Sequence, residues 1–103
     1  MFPKIKRVKD PVAIEAARKP RSEISGEPTY RSAPHHIISV GSGGPDHPFN
    51  LLQTTALEHI QIHSGLYSRD ELFQIVAERE GLTVEFVMSE VNRMRLEGNN
   101  AEL

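Results

Sequence analysis

All five histidines of this 103-residue chain lie between His35 and His63. Imidazole is the side chain best suited to holding a transition metal, or to taking a proton near neutral pH. His59 and His63 are four residues apart, so on a helix they share one face and can offer two ring nitrogens to one ion. A third ligand must then come from elsewhere, and His35 or His36 is the candidate. Neighbouring residues of a strand point to opposite faces, so this pair cannot do the same job. Whichever histidine is left over is a candidate general base. Asn50 lies between the two groups, and its amide can both donate and accept. That suits it to brace the glycine- and proline-rich loop from Gly41 to Pro48, which lacks regular pairing.

Several local signals define the elements that must carry these residues. Thr55 and Glu58 form a capping box, which predicts a helix from Ala56 to His63, closed by Ser64-Gly65. Tyr30–Ile38 and Phe49–Thr54 read as short strands on either side of the loop. Upstream, Asp10-Pro11 is an N-cap followed by proline at the first helical position, predicting a helix over Pro11–Lys19 that Pro20 ends. Downstream, Ser68 and Glu71 form a second capping box. Its helix places Leu72, Ile75, Val76 and Arg79 inward and ends at Gly81. Thr83 caps a last helix with Val84, Val87, Met88, Val91, Met94 and Arg95 at helical spacing, running out at Gly98-Asn99-Asn100. Met88 and Met94 read as core residues. Ala77, Gly81 and Leu82 match the spacing of a helix-turn-helix, but Glu85 and Glu90 would face phosphates from the second helix. A hairpin that covers the core is the expected arrangement.

Composition narrows the classes. The length suits one domain with a modest core. Cysteine is absent, which excludes disulfides and thiolate zinc sites. No apolar run is long enough to span a membrane and no signal peptide is visible, so no membrane partner and a cytoplasmic location are expected. The net charge of −2 conceals an asymmetry: residues 1–31 carry +4, residues 32–68 carry −2 and residues 69–103 carry −4. A basic arm ahead of the histidines suits a polyanion.

The order His35-His36, Gly43-Gly44-Pro45-Asp46, Asn50-Leu51-Leu52, His59-Ile60-Gln61-Ile62-His63 resembles the HNH endonuclease family. The resemblance covers roughly residues 20–66. The segment Glu58–Gly65 and the double histidine are similar to colicin- and pyocin-type DNases, and the GGPD turn to phage and prophage members. It implies a small α+β fold with a ββα-metal core over residues 22–66. Residues 1–21 would be a basic arm and short helix, and residues 67–103 a C-terminal helical hairpin, all within one domain. It also implies His36 as general base, Asn50 as the residue that aims it, and His35, His59 and His63 as ligands of one divalent metal. Mn²⁺ is favoured by the imidazole set, Ni²⁺ and Zn²⁺ are acceptable, and Mg²⁺ is held less well. His47 has no counterpart and is expected to be exposed or weakly auxiliary.

Many members carry two Cys-x-x-Cys pairs around this core. Here those positions read Ser22 and Ser25, then Thr55 and Glu58, so no structural zinc is expected. The resemblance therefore implies a DNA partner, a bacterial or phage origin, and a monomer or weak homodimer that nicks one strand. Lys4, Lys6, Arg7, Lys9, Arg18, Lys19 and Arg21 are expected to hold the DNA backbone. The alternative is a catalytically inactive DNA-binding or assembly scaffold that keeps the same fold.

Overall fold

The structure, a computed structural model, describes residues 7–100, with side chains through Arg95. Helix α1 spans Pro11–Ala17. Its N-cap Asp10 accepts hydrogen bonds from the Val12 and Ala13 amides, and Pro11 starts the first turn without needing a donor. The helix ends two residues before the expected Lys19. Arg18 is already extended, and proline at position 20 disfavours helical geometry at Lys19. The Lys19 amide donates to Gln53 Oε1 instead (3.1 Å).

The sheet is far shorter than the sequence suggests. β1 (His35–His36) pairs antiparallel with β2 (Leu51–Leu52), His35 opposite Leu52 and His36 opposite Leu51. Upstream, Tyr30 and Arg31 adopt φ of 49° and 71°, which no strand tolerates, so the predicted Tyr30–Ile38 strand begins only at His35. On the partner side, His47 caps a 3₁₀ turn over Pro48–Asn50, so β2 starts after Asn50 rather than at Phe49. A second 3₁₀ turn, Val40–Ser42, leads into the glycine loop. Gly44 cannot be replaced there: a Cβ would lie 1.8 Å from the Ile38 carbonyl oxygen.

After β2 come three helices: α2 (Ala56–His63), α3 (Arg69–Glu80) and α4 (Val84–Asn100). Both capping boxes form as read. Gly81 closes α3 with φ 69°, and the Phe86 amide donates to Thr83 Oγ1 (3.1 Å) at the start of α4. The α3–α4 hairpin does cover the core: Leu72, Phe73, Val76 and Ala77 from one helix and Val87 and Val91 from the other pack on Ile37, Ile38 and Leu52. Met88 and Met94 pack against the same cluster. Arg79, expected inward, lies at the edge of this core. Its guanidinium donates to Glu23, to the Leu51 carbonyl (3.1 Å) and to the Pro48 carbonyl (2.6 Å), tying α3 to β2. Among the described residues the result is a mixed domain of four helices and a two-stranded sheet. Among the described residues, no helix is long and apolar enough to cross a membrane.

The four positions at which cysteines were missing come together. Ser22 Oγ donates to Glu58 Oε1 (2.5 Å), which also accepts from the Thr55 amide (2.8 Å), while Thr55 Oγ1 accepts from the Glu58 amide (3.0 Å). The Ser22 hydroxyl in turn accepts from the Ile24 and Ser25 amides. Burial alone would raise the Glu58 pKa, but the hydrogen bonds from Ser22, Ser25 and Thr55 outweigh it and hold it below the usual value. A carboxylate thus pins the Ser22 turn to the start of α2.

A candidate metal centre beside a braced histidine

His35 and His36 sit on a two-residue strand and face opposite ways, as the pleat requires. His35 is buried, 5% exposed, and turns toward α2. Its Nδ1 lies 3.2 Å from His59 Nδ1, and His59 Nε2 lies 3.0 Å from His63 Nε2. One nitrogen from each of the three rings falls within 4.8 Å of the others. Nitrogens ligating one tetrahedral ion at about 2.1 Å stand about 3.4 Å apart, so a shared divalent ion needs only a modest turn of these rings to bring one nitrogen of each to it. The donor set fits as well: three neutral imidazoles are ordinary ligands for Mn²⁺, Ni²⁺ or Zn²⁺.

The electrostatics keep two of these rings, His35 and His59, neutral. Burial lowers the His35 pKa to about 4, with added repulsion from His59, His63 and His36. Burial lowers that of His59 too, with His63 adding repulsion. Ligands must be deprotonated to bind, so His35 and His59 are ready for a metal at neutral pH. The same shift makes the metal-free protein acid-sensitive. The His35 contribution is fully present above its ordinary pKa of 6.5. As pH falls through 6.5, unfolded chains bind the proton first, and the contribution is lost progressively toward pH 4. Urea unfolding in EDTA is expected to show a loss of about 2 kcal/mol between pH 7 and pH 5. Glu23, Asp46 and Glu58 all have lowered pKa values, so their losses fall at lower pH and leave this window to histidine. Equal stability at both pH values would show His35 to be solvated.

His36 points the other way, to Asp46. Its Nε2 lies 2.7 Å from Asp46 Oδ1. Burial pushes the Asp46 pKa up, but hydrogen bonds from Arg7, His36 and the Asp10 amide prevail and keep it ionised. An ionised carboxylate only accepts, so His36 Nε2 donates to Asp46, and in the neutral tautomer this leaves the lone pair on Nδ1. His36 nevertheless opens onto the same groove as the metal cluster, a cavity of about 360 Å³ that His35, His63, Tyr67 and Arg69 also line.

Asn50 holds the loop that carries Asp46. Fully buried, it accepts from the Ile38 amide (2.8 Å) and donates to the Ile38 (3.0 Å) and Pro45 (3.1 Å) carbonyls. The amide therefore links the end of β1 to the turn before Asp46, the bracing role its chemistry suggested. Arg95 adds a latch from α4, donating to the Ser42 carbonyl (2.6 Å).

No family model, curated protein or solved structure matches this chain. The site is therefore read from its own geometry.

One expectation needs correction. His47 is not a free loop histidine: it is half-buried, its Nδ1 accepts from the Phe49 amide (3.1 Å), and its ring packs edge-on against Phe49. It shapes the turn that delivers Asn50. The basic arm is also less free than its charge implied. Arg7 binds Asp46 and the Gly44 carbonyl, Arg18 pairs with Glu15, Lys19 with Glu23, and Arg21 donates to the Gly26 carbonyl. Lys9 is exposed, and Lys4 and Lys6 lie outside the described residues. Asp46 is the candidate functional residue that sequence reasoning missed. It was quoted only as part of the GGPD turn, and nothing in the local pattern pairs it with a histidine ten residues upstream.

Proposed function

We propose that this chain is a metal-dependent DNA endonuclease of the HNH type that nicks one strand. The observation that carries the reading is the division of labour between adjacent residues. His35 joins His59 and His63, while His36, braced by a carboxylate, faces the same groove with a free nitrogen. The order β1, braced loop, β2, α2 supports a ββα-metal core, and Asn50 occupies the place the resemblance assigns to it.

In this reading His36 Nδ1 takes the proton of a water as its oxygen attacks phosphorus. The bond from phosphorus to the 3′ oxygen breaks, leaving a 5′-phosphate and a 3′-hydroxyl, the latter protonated by solvent. Asp46 holds the His36 tautomer and stabilises the imidazolium that forms. His35, His59 and His63 would hold a divalent ion, which would supply Lewis-acid polarisation of the phosphate and neutralise charge on the leaving oxygen. One such site per chain cuts one strand per encounter.

Digestion of an end-labelled duplex oligonucleotide tests this. Expected products end in 5′-phosphate and 3′-hydroxyl, with Mn²⁺ supporting faster cleavage than Mg²⁺ because all three ligands are imidazoles. Products with 3′-phosphate ends, or cleavage undiminished in EDTA, would contradict it. Replacing Asp46 with asparagine keeps the size of the side chain but removes the charge that fixes the His36 tautomer. Cleavage is expected to slow by on the order of 10²-fold with Mn²⁺ affinity retained. Unchanged kinetics would show that Asp46 serves only Arg7 and the loop.

A further inference from the structure

A second groove lies between the end of α1 and the turn over Thr29–Ser32. Its volume is about 670 Å³, within the range of small-ligand pockets, and Arg18, Lys19, Tyr30, Arg31 and Gln53 line it with the single acid Glu15. Tyr30 and Arg31 at its rim are consecutive non-glycine residues with positive φ, 49° and 71°. That backbone is disfavoured for both and persists only where its surroundings impose it. They do so here. Ser32 donates to the Thr29 carbonyl through both its amide and its hydroxyl, and buried Gln53 donates to the Ser32 carbonyl (3.0 Å). Thr29 is tied to the end of α1 by bonds to the Pro20 and Lys19 carbonyls.

What this anchored turn presents is unusual for a folding device. Tyr30 is 88% exposed, so its ring contributes little burial. Arg31 makes no hydrogen bond or ion pair among the described residues. Arg18 and Lys19 are held only by partly exposed pairs with Glu15 and Glu23. An exposed aromatic ring on an anchored turn, beside a cluster of cations, matches a base stacked on the ring with its phosphate on the guanidinium. Bases of a duplex are already stacked on each other and cannot reach such a ring. We infer that the Tyr30–Arg31 turn and the Arg18–Lys19 groove bind an unpaired nucleotide of a single-stranded segment. Arg31 is four residues from His35, at most about 14 Å along extended chain, so a strand held on Arg31 is within reach of the strand that carries His35 and His36. Resting on the nuclease reading, this adds DNA with an unpaired segment to duplex DNA in the substrate class.

Binding is measured by fluorescence anisotropy in EDTA, using a labelled twelve-nucleotide oligothymidylate and a blunt duplex of the same length. The single strand is expected to bind more tightly. Tyr30→Ala should weaken it by about 5- to 100-fold, while Tyr30→Phe, which keeps the stacking face, should stay within about twofold of wild type. Arg31→Ala should weaken binding and reduce the salt slope by about 0.7. Preference for the duplex, wild-type affinity in Tyr30→Ala, or equally effective competition by polyglutamate would each overturn the inference. The two readings separate cleanly. A protein that cuts duplex DNA without need of Tyr30 leaves the nuclease standing and removes this site. One that holds single strands through Tyr30 and hydrolyses nothing does the reverse.

Discussion

Replacing His36 with alanine is expected to slow DNA cleavage by about 10²- to 10⁴-fold, the usual contribution of a positioned general base. The substitution should not disturb the metal cluster, because His36 leaves β1 on the face opposite His35 and touches Asp46 instead. Nor should it leave a buried charge uncompensated, since Asp46 keeps Arg7 and the Asp10 amide (3.0 Å) as partners. Mn²⁺ affinity, read by calorimetry, is therefore expected to stay within about threefold of wild type, and added imidazole should restore part of the rate. A variant that cleaves at the wild-type rate would remove His36 from the reaction. One that loses metal affinity together with cleavage would make it a ligand or a structural residue.

Replacing His59 with alanine is expected to abolish both metal binding and cleavage. The His59 ring stands between the other two, one nitrogen toward His35 and the other toward His63. Without it two imidazoles remain, too few to hold the ion tightly. Losing even an outer hydrogen-bond partner of a metal-binding histidine costs about 10- to 100-fold in affinity, so losing a ligand should cost more than about 100-fold. The fold should survive, because His59 is only half-buried and α2 keeps its capping box and the Ser22–Glu58 bond. Calorimetric titration with Mn²⁺ and Zn²⁺ is the measurement. Wild-type affinity in this variant would mean that the three rings merely pack.

Local chemistry made much of this legible in advance. The two capping boxes, the stop at Gly81 and the helical spacing of His59 and His63 are encoded within four or five residues, and all took the form the sequence implied. The opposite facing of His35 and His36 followed from strand geometry alone. What escaped notice depends on contacts distant in sequence. Asp46 meets Arg7 across 39 positions, and Ser22 meets Glu58 across 36. No periodicity records such pairings. The strands were overestimated for a related reason: Tyr30–Ile38 has strand-forming residues, but Thr29, Ser32 and Gln53 lock a turn at its start. Arg7 was read from its charge as a grip for DNA, yet it spends that charge inside the fold, on the carboxylate that steadies His36.

Relaxation of supercoiled plasmid by the purified protein asks most directly whether three histidines and a braced fourth make a nuclease. Nicked circles should accumulate with Mn²⁺ ahead of any linear product, stay absent in EDTA, and form at least about 100-fold more slowly with His36→Ala. Plasmid that stays supercoiled with Mn²⁺, Ni²⁺, Zn²⁺ and Mg²⁺ alike, from a folded protein that binds the ion, would contradict the assignment and favour an inactive scaffold.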